Sequence, residues 1–338
     1  MRLKCGLHLA YCTNVHRGEN WRETFDSLKN HALAVREKVC PRGEFAIGLR
    51  LSWQTAMELS DPKTLLAFQR WLEKNSCYVF TFNGFPFGQF HGARVKENVY
   101  RPDWTSPERL NYTNLLFDLL ARLLPAGVEG SVSTLPGSFK EKRGWKLENG
   151  KWKNARRKNA ILHSPSSPGW AASENAAGKK IRRNLWRCVE HISRVSEKSK
   201  KKLHLGLEPE PLCLLENSTE TISFFEKLRV ENQNDPRLAE FLGVNYDCCH
   251  FAVEFEEPQI TLAAFQNAGI KISKIHLSSA LKTKPISAAR RKLKEFADEI
   301  YLHQVVARDE NGRLKFFRDL PDLLAGNSKS KTQNLKLS

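Results

Sequence analysis

Asp247 and His250 stand where an apolar run stops, in the stretch GVNYDCCHFAVEF (243–255). A carboxylate and an imidazole released together at a strand end can turn to one centre, and that donor pair suits Zn²⁺, Mn²⁺, Fe²⁺ or Co²⁺. An ion held there polarises a carbonyl, steadies an enediolate or activates a water. A lone D-x-x-H is a weak signal. It gains weight from its neighbours: Glu208 closes the run LHLGLE ahead of Pro-Glu210-Pro, and His276 closes KISKIHL ahead of Ser278 and Ser279. The expected ligands are therefore Glu208, Asp247, His250 and His276, with Glu208 and His276 also placed to move protons. The expected cofactor is a divalent metal, Zn, Mn or Mg. Position alone nominates Asn14, His16, Asn83, His91, Ser133 and Lys140 as substrate contacts, because they fall in pairs at the ends of the first, third and fourth apolar runs.

Each of these has a plainer reading. Glu208 and Glu210 also fit an acidic rim beside the Lys200–Lys202 run, and His276 a satisfied buried histidine. His16 and His91 fit solvated loops, and Phe85, Phe87 and Phe90 fit loop packing. Cys248 and Cys249 point opposite ways on a strand, so they read as packing rather than as a bridge. The eight cysteines form no C-x-x-C, as expected of reduced thiols in a cytoplasmic protein.

Positioning such residues takes strands. Short apolar runs at 5–11, 45–51, 77–82, 128–133, 203–208, 242–246, 271–277 and 300–306 alternate with amphipathic stretches at 20–39, 61–74, 107–124, 179–198, 219–229, 258–268 and 285–297. Repeated strand-helix units imply parallel strands with right-handed crossovers, and eight of them predict a (β/α)₈ TIM-barrel-like fold. In such a barrel the working residues lie at the C-terminal strand ends, where the nominated residues fall. Neither G-x-G-x-x-G after the first strand nor a P-loop is present, which argues against a dinucleotide-binding domain. The start, MRLKCGLHLAYC, reads as a first strand rather than a signal peptide, and no apolar run approaches a membrane span.

The net charge of +17 is unevenly placed: segment 139–202 holds 19 Lys and Arg against 5 Asp and Glu, and so carries +14 of it. Residues 1–324 are expected to form one barrel, with 141–178 a flexible basic excursion on its rim and 325–338 a disordered tail.

Several motifs in order carry a family resemblance: YCTNVHRGENW, FTFNGFPFGQFHG, RVKENVYRPDW, STLPGSFK, GLEPEPLCLLE, YDCCHFAVEFEEP, IHLSSAL and YLHQVVAR. Together they resemble the bacterial metabolite traffic protein EboE family, over about 3–140 and 180–324. That family is similar to the xylose isomerase-like TIM-barrel group, which includes endonuclease IV-type enzymes and sugar-phosphate isomerases. The resemblance implies a divalent-metal site on Glu208, Asp247, His250 and His276, in a protein of secondary-metabolite operons. It also implies further strands past RDLPDLL, with an H-x-H step and a last glutamate, where this sequence is rich in lysine and serine. Segments 300–306 and 313–318 are then expected to form a hairpin, leaving the barrel incomplete at its C-terminal side and its metal short of ligands.

Three functions follow. The first is a metal-dependent isomerase, epimerase or hydrolase handling a small polar secondary-metabolite precursor, with other proteins of the same operon as partners. The second is an endonuclease IV-like phosphodiesterase gripping DNA through 139–202; since the charge sits in one segment, nucleic acid is not the expected partner. The third is a non-catalytic carrier or assembly partner.

Overall fold

A computed structural model describes residues 1–88, 96–140, 145–148, 151–154, 176–284, 287–297, 302–325 and 332–337. In chain order its strands are β1 (Ala10–Cys12), β2 (Phe45–Arg50), β3 (Cys77–Asn83), β4 (Gly130–Thr134), β5 (Trp145–Glu148), β6 (Lys151–Asn154) and β7 (Leu203–Leu207). They continue with β8 (Leu242–Asp247), β9 (Lys271–His276), β10 (Leu281–Thr283), β11 (Val305–Asp309), β12 (Leu314–Phe317) and β13 (Thr332–Leu337). Seven of them make one sheet in the order β1-β2-β3-β4-β7-β8-β9, and every pairing in it is parallel.

The helices between these strands start where the sequence supplies caps. Asn20 accepts from the Glu23 amide and Glu23 returns a bond to the Glu19 amide, opening helix Trp21–Ser27. Asp61, Ser106 and Asn217 cap helices Pro62–Lys74, Pro107–Leu123 and Ser218–Glu231, their side chains accepting from the Thr64, Glu108 and Glu220 amides. Among the described residues no helix is long and apolar enough to cross a membrane.

The seven-stranded sheet curls into most of a (β/α)₈-type barrel. Alternate residues face its two sides. One side is apolar and buried under the helices: Phe45, Ile47 and Leu49 of β2, Leu203, Leu205 and Leu207 of β7, Val244 and Tyr246 of β8. The other side is small or polar and lines the lumen, where Thr81 meets Ser131 (2.8 Å) and His204 Nδ1 meets Ser273 Oγ (2.6 Å). The curl is measured by Lys274 of β9, whose Nζ donates to the Phe82 carbonyl of β3 at 3.1 Å. Those strands are four places apart, which in a flat sheet is about 19 Å.

The expected eighth strand takes another course. Segment 300–306 gives β11, which starts at Val305 and pairs antiparallel with β12 and β13. The hairpin expected of these two segments is therefore present, inside a four-stranded sheet of order β10-β13-β11-β12. Its small apolar cluster of Leu293, Val305, Ala307 and Leu320 is separate from the main core. Among the described residues β1 and β9 are not paired to each other, so the barrel sheet stays open between them.

Three other segments differ in detail from the sequence reading. The first strand shrinks from 5–11 to β1, because residues 3–7 close a turn (Leu3 N to Leu7 O, 2.7 Å) around Gly6 at φ +79°. The tail 325–338 contains β13, whose backbone pairs with both β10 and β11. The excursion 141–178 contains the β5–β6 hairpin and the first residues of helix Ala176–Ser199; residues 141–144, 149–150 and 155–175 lie outside the described residues.

Gly84 shows how tightly the mouth is built. A Cβ there would lie 2.8 Å from the Ser133 carbonyl oxygen and 2.9 Å from a Leu116 methyl. We expect Gly84→Ala to destabilise the fold by about 1–3 kcal/mol, read as a lower midpoint in urea unfolding at unchanged slope.

Candidate metal centre at the strand ends

Three successive strands deliver the central group. Glu208 follows β7, Asp247 ends β8 and His276 ends β9. A register shift beside Val244 and Asn245 skips Ser273, so that Lys274 falls opposite Asn245 and His276 opposite Asp247. His276 Nδ1 then lies 3.3 Å from Glu208 Oε1 and 3.3 Å from Asp247 Oδ2. Donors held at about 2.1 Å by one divalent ion stand about 3.0 Å apart along octahedral edges and about 3.4 Å apart along tetrahedral ones. The donor set and its spacing therefore fit a divalent cation.

Asp247 caps the short helix Cys248–Val253, its Oδ1 accepting from the Cys249 amide at 2.9 Å and from the Ser278 hydroxyl. That helix carries His250, whose Nδ1 lies 3.1 Å from the Pro209 carbonyl and 3.9 Å from Glu208 Oε1. An Nδ1–H donated to the carbonyl leaves Nε2 as the ligand atom. All four expected ligands are thus brought together. Asn83 and Ser133 meet each other at the mouth, Ser133 Oγ donating to Asn83 Oδ1 at 3.3 Å, and Asn14 follows β1 with its Oδ1 buried and without a hydrogen-bond partner among the described residues. His16 bonds the Tyr11 hydroxyl (2.7 Å) and stacks on His31. Lys140 is drawn into ion pairs with Glu216 (2.6 Å) and Glu220 (3.2 Å). His91 lies outside the described residues.

The electrostatics follow from burial opposed by pairing. Burial alone raises a carboxyl, but the imidazoles of His276 and His250 hold Glu208 below its ordinary value. Asp247 is likewise desolvated, yet His250, His276 and Ser278 hold it well below the usual carboxylate range. The histidines mirror this: burial lowers them, Asp247 lifts His250 well above its usual value, and Glu208 lifts His276. Behind the ligands, Glu210 accepts from the Tyr100 hydroxyl and from Gln304 Nε2 (2.9 Å), and burial raises its carboxyl.

Sequence reasoning passed over two lumen residues that strand parity exposes. Lys274 and Asn245 stand two places before His276 and Asp247, and so share their face. Burial pulls the Lys274 ammonium down to about 8, with Glu208, Cys12 and Asp247 opposing. Asn245 Nδ2 lies 3.2 Å from His276 Nδ1.

No family model matches this sequence, and no curated protein matches it. Among solved structures the chain is similar to the probable 3-DHS dehydratase AsbF from Bacillus anthracis (11% identity, TM-score 0.43, 83% of this chain and 75% of that one). It is similar to the IOLI protein with a bound zinc atom (12% identity, TM-score 0.39, 78% and 70%). A xylose isomerase-like TIM barrel protein from Mycobacterium smegmatis in complex with magnesium is also similar (13% identity, TM-score 0.43, 75% and 66%).

Below the mouth, His204 is held neutral: burial, with help from Lys271, lowers it from 6.5 to about 4. A histidine depressed in the fold lets the unfolded chain bind the extra proton. Its contribution is complete above pH 6.5 and is lost as pH falls from about 6.5 to about 4, by up to about 3 kcal/mol. We expect His204→Gln to flatten the stability profile over that interval relative to wild type, measured by urea unfolding at each pH.

Proposed function

We propose that this chain is a divalent-metal enzyme of the EboE metabolite-traffic type, interconverting a small polar hydroxy-carbonyl metabolite with its isomer or epimer. The observation that supports it is the convergence of Glu208 Oε1 and Asp247 Oδ2 on His276 Nδ1 at 3.3 Å, at the mouth of a polar lumen. When bound, a divalent ion supplies positive charge for the oxyanion that develops as the carbonyl enolises. Glu208 takes the proton from the carbon beside the carbonyl; in isomerisation it returns it to the neighbouring carbon while the hydroxyl proton passes to the carbonyl oxygen, and in epimerisation a second acid on the other face supplies the proton. His276 orients the Glu208 carboxylate, and Asn83 and Ser133 offer hydrogen bonds to substrate hydroxyls. Among the described residues the Lys274 ammonium donates one hydrogen bond, to the Phe82 carbonyl, and keeps further N–H donors for the lumen.

The phosphodiesterase reading has less support. Exposed Lys179, Lys180, Arg183, Arg187 and Arg194 follow helix Ala176–Ser199, which ends just before β7 begins. A helix of that length spans about 36 Å, so it starts with Lys179 and Lys180 on the mouth side and carries its other cations down the outer wall away from it.

Metal content of the purified protein and solvent-deuterium exchange test the proposal together. We expect bound divalent metal, and deuterium incorporated beside the carbonyl of hydroxy-aldehydes or hydroxy-ketones. Glu208→Gln should slow the exchange by about 10²–10⁴-fold. Substrate cleavage without label would mean hydrolysis instead. A metal-free protein, unchanged by Asp247→Ala and inert to every substrate, would be a carrier.

A further inference from the structure

The metal reading leaves one donor at the mouth unused. Asp247, Cys249 and His250 each offer a ligand atom, and these atoms all lie within 4.8 Å of one another. Glu208, Asp247 and His276 form a second such group, and Asp247 belongs to both. The Asp247 oxygens divide accordingly: Oδ2 lies toward His276, and Oδ1 accepts from the Cys249 amide. That amide bond fixes Cys249 beside the carboxylate, while the preceding Cys248 packs against the hydrophobic core. Beside His276, Asn245 is fully buried and its Oδ1 has no hydrogen-bond partner among the described residues. A buried amide oxygen without a donor is costly unless a water or an ion's hydration shell supplies one.

Resting on the metal reading above, we propose that Cys249 is a metal ligand, and that its thiolate, with Asp247 and His250, makes this a centre for zinc-class ions. Carboxylate and imidazole donors alone accept Mg²⁺, Mn²⁺ or Zn²⁺, whereas a thiolate favours Zn²⁺ and Co²⁺ and is a poor partner for Mg²⁺. The D-C-C-H stretch then has two different cysteines: Cys248 is packing, and Cys249 sets the metal.

Cobalt reports on this directly, because a thiolate bound to Co²⁺ gives a sulfur-to-metal charge-transfer band in the near ultraviolet. The full-length protein, stripped with chelator and loaded with Co²⁺, is expected to show that band. Cys248→Ser should keep it. Cys249→Ser should lose it while still binding Co²⁺ through Glu208, Asp247 and His276, and its preference for Zn²⁺ over Mg²⁺ in competition titrations should fall at least about tenfold. In unmutated protein, bound Zn²⁺ should protect Cys249 from alkylation, read by peptide mass spectrometry, which covers the case in which the variant fails to fold. Cobalt bound without the band, a band that survives Cys249→Ser, or alkylation of Cys249 unaffected by Zn²⁺ would overturn the thiolate ligand and leave the metal reading standing. No uptake of Co²⁺ or Zn²⁺ by wild type would overturn both.

Discussion

The curl of the parallel sheet is the constraint on which the mouth depends. Strands β7, β8 and β9 are neighbours in any parallel sheet, but only a curled one turns their lumen faces toward β3 and β4. Small residues on the inner face permit it. A Cβ on Gly206 would lie 3.0 Å from the Asn245 amide nitrogen and 3.1 Å from Ser273, so β7, β8 and β9 approach as closely as they do only with glycine there. The Lys274–Phe82 bond then spans the lumen from β9 to β3.

A polar lumen is costly unless its charges are paired, and the mouth is arranged accordingly. Glu208 and Asp247 are nine-tenths buried, and each has an imidazole beside it. The same logic operates next door, where Lys140 sits between Glu216 and Glu220. Burial pushes Glu216 up to about 7 despite that lysine, and holds Glu254 well above the usual carboxylate range, so this cluster carries more carboxylate than it can pair. The metal-type group differs in mixing carboxylate with imidazole, the combination that a divalent cation organises.

The antiparallel sheet contributes to the same region from outside the barrel. Gln304, just before β11, reaches both the Tyr100 hydroxyl and Glu210 (2.9 Å each), and Asp319 pairs with Lys96 at 2.6 Å. These contacts tie the C-terminal segment to the loops after β3 and β7. Residue 304 therefore supports the mouth from behind, rather than lining it as part of an eighth parallel strand.

Much of this was legible in the sequence. Apolar runs broken by capped amphipathic stretches specify parallel strands and crossover helices, because hydrophobic periodicity and cap chemistry are local. The polar residue ending each run marked Glu208, Asp247, His250 and His276, because a strand must present something where its apolar run stops. Parity along β8 and β9 held Asn245 and Lys274 in plain view as well. What the sequence could not decide depends on distant partners. Whether 300–306 closes the barrel or turns back is settled by competition between the β9 edge and β12 and β13 for the same backbone groups. Whether Lys140 faces the mouth or an ion pair is settled by Glu216 and Glu220, dozens of residues away. The role of Cys249 needed the fold of Cys248–Val253: as a strand, adjacent cysteines point apart and read alike as packing, but a helical turn begun at Asp247 carries one of them back to the aspartate.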